Sequence, residues 1–110
     1  MFYSTNKSVF KRMTQELGAK KDTLVIAEDA DAAQVIAENM RQEIEAYDHV
    51  DSGRLLNSIN ATKRAGEDVV VGAEYAKFVN GYDKEKGESG FVQDAVDRAI
   101  LDGYNGEAVV

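Results

Sequence analysis

The 110-residue sequence has no cysteine, no proline and no tryptophan, and it holds one histidine, His49. Without cysteine there is no disulfide framework, no thiolate zinc site and no thiol nucleophile. A single histidine cannot build a His-rich metal site or a facial triad within one chain. No apolar run approaches the ~20 residues of a membrane-spanning helix, and the start, MFYSTNKSVFKRM, lacks the apolar core of a signal peptide. The expectation is a soluble protein made in the cytosol, with no membrane partner. A basic stripe that could track a phosphate backbone is missing too: 20 Asp and Glu oppose 13 Lys and Arg, for a net charge of -7.

What is present fits one domain spanning residues 1–110, since domains run roughly 100–200 residues. Hydrophobic residues make up 44% of the chain, too many for a disordered acidic tail. Charge is unevenly placed. Residues 1–23 carry a balance of +3 and residues 24–110 a balance of -10. The plainer reading of the acids is that they keep the protein soluble.

Val9, Phe10, Met13 and Leu17 recur at helical spacing before Gly18, which predicts a basic first helix within residues 1–21. Ile26, Ala30, Ala33, Ala37, Met40, Ile44 and Tyr47 alternate four and three apart and predict one long helix. Its start is open. Thr23 to Ala27 (TLVIA) is β-branched enough for a short strand, but the preferred reading runs the helix back towards Asp22. The helix stops near Asp48, before HVDSG. Leu55, Leu56 and Ile59 give a helical turn, and strands are expected at Ile59–Lys63 and Val69–Ala73, joined by RAGED. Val69 and Val71 face opposite to Val70, so the second strand should be covered on both sides. Glu74–Asn80 reads as a short helix packing Tyr75, Phe78 and Val79. Residues 82–90 read as an exposed charged loop, and Phe91, Ala95, Val96, Ala99 and Ile100 as a final amphipathic helix. The tail at 103–110 should fray unless a partner orders it. The fold class is α+β, a small antiparallel sheet packed with a long helix and flanking helices. Two strands are too few to stand alone, so a third is expected around Val79–Tyr82 or from another subunit.

No catalytic constellation emerges, and no cofactor or metal is implied. Glu28–Asp29 and Glu67–Asp68 are adjacent pairs whose side chains diverge, which is wrong for an acid/base dyad. His49 beside Asp48 and Asp51 reads as helix-end charge pairing. Calcium-loop spacing, GxGxxG and Walker sequences do not occur.

One ordered set of segments is more specific. Val50-Asp51-Ser52-Gly53-Arg54-Leu55-Leu56-Asn57-Ser58-Ile59 follows an Ala/Glu-rich helix; then come Val69 to Gly72, Glu74-Tyr75-Ala76-Lys77-Phe78-Val79, and a final helix opening with Phe91 and Ala95. This order resembles the phage neck and tail-completion family (minor tail component, head–tail connector) of long-tailed phages, over residues 24–102. That family shows V-D-T-G-x-L-x-x-S-I, a v-v-v-G strand, Y-A-x-x-V-E-x-G and a closing P-F-x-x-P-A helix. Ser52, Gly53, Leu55, Ser58 and Ile59 match the first motif, Tyr75, Ala76 and Val79 the third, and Phe91 and Ala95 the last. The sequence departs at His49, Gly90 and Asp94, where the family has prolines, and at Asn80, where it has Glu.

The resemblance implies a non-enzymatic virion protein assembled in the host cytoplasm. It would form a ring, sixfold by expectation, between a connector or stopper and the tail tube or tail terminator, with DNA passing through its lumen unbound. Arg54 is a candidate for an intersubunit ion pair or a solvated surface arginine, and Tyr75 and Phe78 for core or for an interface anchor. Tyr82, Lys84 and Lys86, in the 82–90 segment, complete the candidate interface. Two other classes compete. A small acidic DNA mimic would show regularly spaced carboxylates, whereas here acids alternate with Lys84, Lys86, Arg41 and Arg98. A metal-dependent enzyme would rest on Asp51, Asp68 and Glu74.

Overall fold

A computed structural model describes residues 22–47 and 53–110. The first-helix expectation at Val9–Leu17, together with His49, Asp51 and Ser52, lies outside the described residues. Strand β1 (Thr23–Ala27) leads into helix α1 (Ala30–Ala46). Helix α2 (Arg54–Ser58), strands β2 (Asn60–Arg64) and β3 (Glu67–Val71), helices α3 (Ala76–Glu85) and α4 (Phe91–Leu101) and strand β4 (Gly106–Ala108) follow. The strands form one antiparallel sheet in the order β2-β3-β1-β4. The class is α+β, as the sequence implies.

The TLVIA segment corrects the preferred helix start. All five of its residues are buried, because β1 lies inside the sheet between β3 and β4. Ile26 sits four residues before Ala30 and so mimics a helical stripe, but Ala30 itself is exposed. The helix begins where Asp29 accepts the backbone N–H of Ala32 at 2.8 Å through its side chain, an N-cap that satisfies a donor left free by the first turn.

The β2–β3 hairpin is tighter than the five-residue linker expected. Arg64 pairs with Glu67 across a two-residue turn, Ala65 and Gly66, both at positive φ (51° and 83°). That geometry matches the right-handed twist of the flanking strands. The further strands are β1 and β4 rather than Val79–Tyr82, which lies within α3. The tail expected to fray supplies β4, held on β1 by Val25–Ala108, Ile26–Glu107 and Ala27–Gly106 pairing. The 82–90 segment is also partly helical, since α3 continues to Glu85.

Helix α1 lies across all four strands, and α4 packs along α1 and against β4. Their seam joins Ala33, Ile36, Ala37, Met40 and Ile44 to Phe91, Val92, Ala95, Val96 and Ala99, all at most 1% exposed. Alanines on both helices permit close approach, and the side-chain amide of Asn39 donates to the Ala95 carbonyl at 3.2 Å within the seam. Ile100, read as core, is half exposed because it falls on the outer side of α4. The other sheet face carries Ile26, Val69 and Val71, also buried, with Val109 packed beside them. Val70 joins the helix-side core, so β3 is apolar on both faces as its sequence predicts.

Candidate interaction surface

The motif residues within the described chain lie on α2, at the end of β3, on or just before α3 and in the first turns of α4, where they serve packing and backbone geometry. Gly53 adopts φ 73°, the left-handed conformation that glycine takes without strain, and starts α2. Leu55 and Ile59 enter the core at 4% and 2% exposure. The Ser58 hydroxyl donates to the Leu55 carbonyl at 2.7 Å and accepts the Ala73 N–H at 2.9 Å, stapling α2 to the segment after β3. A β-carbon on Gly72 would approach Leu24 and Ile59 side chains at 2.9 and 3.0 Å, so this glycine lets them close over the strand end. Ala76, Phe91 and Ala95 are fully buried, and Val79 packs at the core's edge.

The guanidinium of exposed Arg54 lies 5.5 Å from the centroid of the half-buried Tyr75 ring, within cation–π range.

The surface of interest is α3, which is inside out. Its buried side holds Ala76 with two polar residues, Asn80 at 2% and Asp83 at 0% exposure. Its outer side presents Phe78 at 80% and Tyr82 at 58% exposure, one turn apart on the same face. Phe78 therefore does not pack on the sheet; that expectation is overturned because the buried positions go to Asn80 and Asp83. The Lys86 ammonium lies 5.1 Å from the Tyr82 ring centroid, extending the face by another turn, and Lys84 donates to the Val110 carbonyl at 3.4 Å. The structure thus brings Phe78 and Tyr82 together on α3 with Lys86 at its C-cap, while Arg54 sits with Tyr75.

Asn80 carries a role that the sequence reading does not assign. Its side-chain oxygen accepts the Val92 N–H at 3.1 Å and so caps α4 from a neighbouring helix. The helix's own cap residue, Gly90, has no side chain to do this. A polar residue among the apolar positions of α3 was the available signal.

Several acids are drawn into ion pairs with bases. Arg64 forks onto Asp22 at 2.6 and 2.8 Å, Lys63 meets Asp68 at 3.2 Å, and Arg98 meets Glu43 at 2.8 Å. Asp68 is thus committed to Lys63, while Glu74 is exposed. Among the described residues no group of three His, Asp or Glu side chains is placed to hold a metal ion. No described helix is long and apolar enough to cross a membrane. A cleft of about 200 Å³ opens between α1 and β2, lined by Ala30, Ala33 and Ala61 with the polar Gln34, Lys63 and Asp68.

Comparisons with protein-family models, with curated proteins and with solved structures each found no match to this chain.

Proposed function

We propose that this chain is a structural, non-enzymatic subunit of a phage neck or tail-completion ring, and that α3 forms part of its subunit interface. The observation that carries the interface reading is the inverted helix. Exposed aromatic side chains keep roughly 1.5–3 kcal/mol each of apolar surface in water. Phe78 at 80% and Tyr82 at 58% exposure would remove that surface from water where another chain covers them. Aromatic anchors of this kind commonly dominate binding energy. The head–tail assignment is supported by the order and spacing of the motif residues. The remaining partners in this reading are a connector or stopper on one side and tail tube or tail terminator on the other. An acidic subunit surface would let DNA pass without adhering.

Native mass spectrometry of the purified chain tests this reading. A closed ring is expected, with six copies the leading stoichiometry, and loss of the ring on Phe78→Ser. A chain that stays monomeric at every concentration and is missing from purified virions overturns it.

A further inference from the structure

We infer that residues 1–21 of this chain cover the outer face of its own sheet, the face opposite α1. The inference stands apart from the ring proposed above. On that face Thr62, Val69, Ile26 and Glu107 form one cross-strand row, and Val71 pairs with Thr23 in the next. Ile26 and Val69 are 0% exposed, Thr23 1% and Val71 9%. The described helices pack from the other side. Helices α1 and α4 share a cluster with Val25, Ala27 and Val70, while Ile26, Val69 and Val71 form a separate cluster joined by Val109 of the tail. An antiparallel sheet with one open face presents that face to water. Side chains at its centre with 0% exposure therefore need a cover, and among the described residues no helix supplies it.

Residues 1–21 fit that role by attachment, length, polarity and charge. The segment runs directly into Asp22 and β1, the inner strand that carries Ile26. Val9, Phe10, Met13 and Leu17 share one helical face. Residues 18–21 then leave an ordinary length of connection for the chain to reverse into the strand. A helix over residues 5–17 would be about 20 Å long. The outer strands of a four-stranded sheet lie about 14 Å apart, so such a helix crosses them all. The segment holds five basic residues and one acidic, whereas residues 22–110 hold eight and nineteen. On the sheet face Arg64 is already forked onto Asp22, and Glu67 and Glu107 add two further carboxylates at its borders. Lys7 and Arg12 flank the apolar stripe of the segment on its two sides, which sets opposite charge against those borders. With both sheet faces covered, contacts with other chains fall to helix surfaces such as α3 and to the sheet edges.

Because the chain has no cysteine, one introduced thiol reports one site. Val69→Cys places it under the cover, and Ala95→Cys places it in the α1–α4 seam, where Ala95 is 0% exposed. Labelling of each thiol by a water-soluble maleimide is timed in the full chain, alone and combined with Met13→Ser or the milder Met13→Ala. Met13→Ser should speed labelling at position 69 roughly tenfold and leave position 95 within about twofold, the signature of local opening. Met13→Ala should show the same preference for position 69 to a smaller extent. Unchanged labelling at position 69, or equal acceleration of both sites in the Met13→Ala chain, overturns the inference. Labelling at position 69 that slows as protein concentration rises also overturns it, because the segment would then cover a neighbouring copy.

Discussion

Asn80 and Gly90 occupy each other's space: a β-carbon on Gly90 would overlap the side-chain oxygen of Asn80, the atom that caps α4 through the Val92 N–H. Gly90 also holds φ 95°, a conformation that side-chain-bearing residues rarely adopt. Without a side chain at 90, the helix lacks a local cap, and Asn80 reaches in from α3 to provide one.

That coupling predicts a non-additive mutant cycle. Asn80→Ala leaves the Val92 N–H without its acceptor and should cost about 1–2 kcal/mol in urea unfolding. Gly90→Ala meets both the backbone strain and the displaced cap and should cost about 3 kcal/mol. The double variant should cost less than the sum by about 1–2 kcal/mol, because no side-chain oxygen remains to be displaced. Strict additivity would show that the two residues are not coupled.

Stability should fall on the alkaline side through Tyr47. Its hydroxyl donates to Asp94, whose other oxygen accepts the Ser89 hydroxyl at 2.7 Å. Burial first, then this hydrogen bond, then the negative charges of Asp94, Glu88 and Asp83 push the phenol well above its ordinary value. The unfolded chain releases that proton near pH ~10, whereas the folded chain holds it. The contribution is therefore complete below pH ~10 and is lost as pH rises towards the folded value. Tyr47→Phe should flatten the decline in unfolding free energy measured between pH 9 and 11, roughly the range in which tyrosine titrates.

How far the sequence reveals the fold depends on whether the signal is local. Val69, Val70 and Val71 read as a strand covered on both faces because three consecutive β-branched residues are hard to place otherwise. Phe91, Ala95, Val96 and Ala99 read as one helix face because their spacing is the helical period. Thr23–Ala27 was ambiguous because Ile26 stands in helical phase with Ala30 and Ala33; only pairing with Val69 and Glu107, distant in sequence, makes it a strand. Gly106–Ala108 carried no strand signal, since three residues gain their order entirely from β1. At the candidate surface, the aromatics were visible but their direction was not. The apolar-inside rule assigns Phe78 to the core, and on α3 Asn80 and Asp83 take those positions.

Removing the tail should therefore destabilise the whole domain rather than trim a loose end. Deletion of residues 105–110 removes β4 and two flanking backbone bonds, Glu28 N–H to the Asn105 carbonyl and Val109 N–H to the Leu24 carbonyl, each 2.9 Å. It also turns β1 into a sheet edge. At about 1 kcal/mol net for each hydrogen bond, a loss of about 3 kcal/mol or more is expected. The urea midpoint of the truncated chain checks this, and an unchanged midpoint would mean that β4 contributes nothing to the folded state.

The inverted face of α3 gives the sharpest separation of folding from association. Phe78→Ser with Tyr82→Ser changes two side chains that are mostly in water, at 80% and 58% exposure, so the unfolding free energy of the isolated chain should move by no more than about 0.5 kcal/mol. Phe91→Ala, at a position with 0% exposure, should cost about 3–5 kcal/mol. Self-association should respond in the opposite order. Sedimentation velocity is expected to show the serine double variant as a folded monomer under conditions where the wild type assembles. A double variant that assembles as well as the wild type would remove α3 from the interface, and one that unfolds would mean that these aromatics serve the core after all.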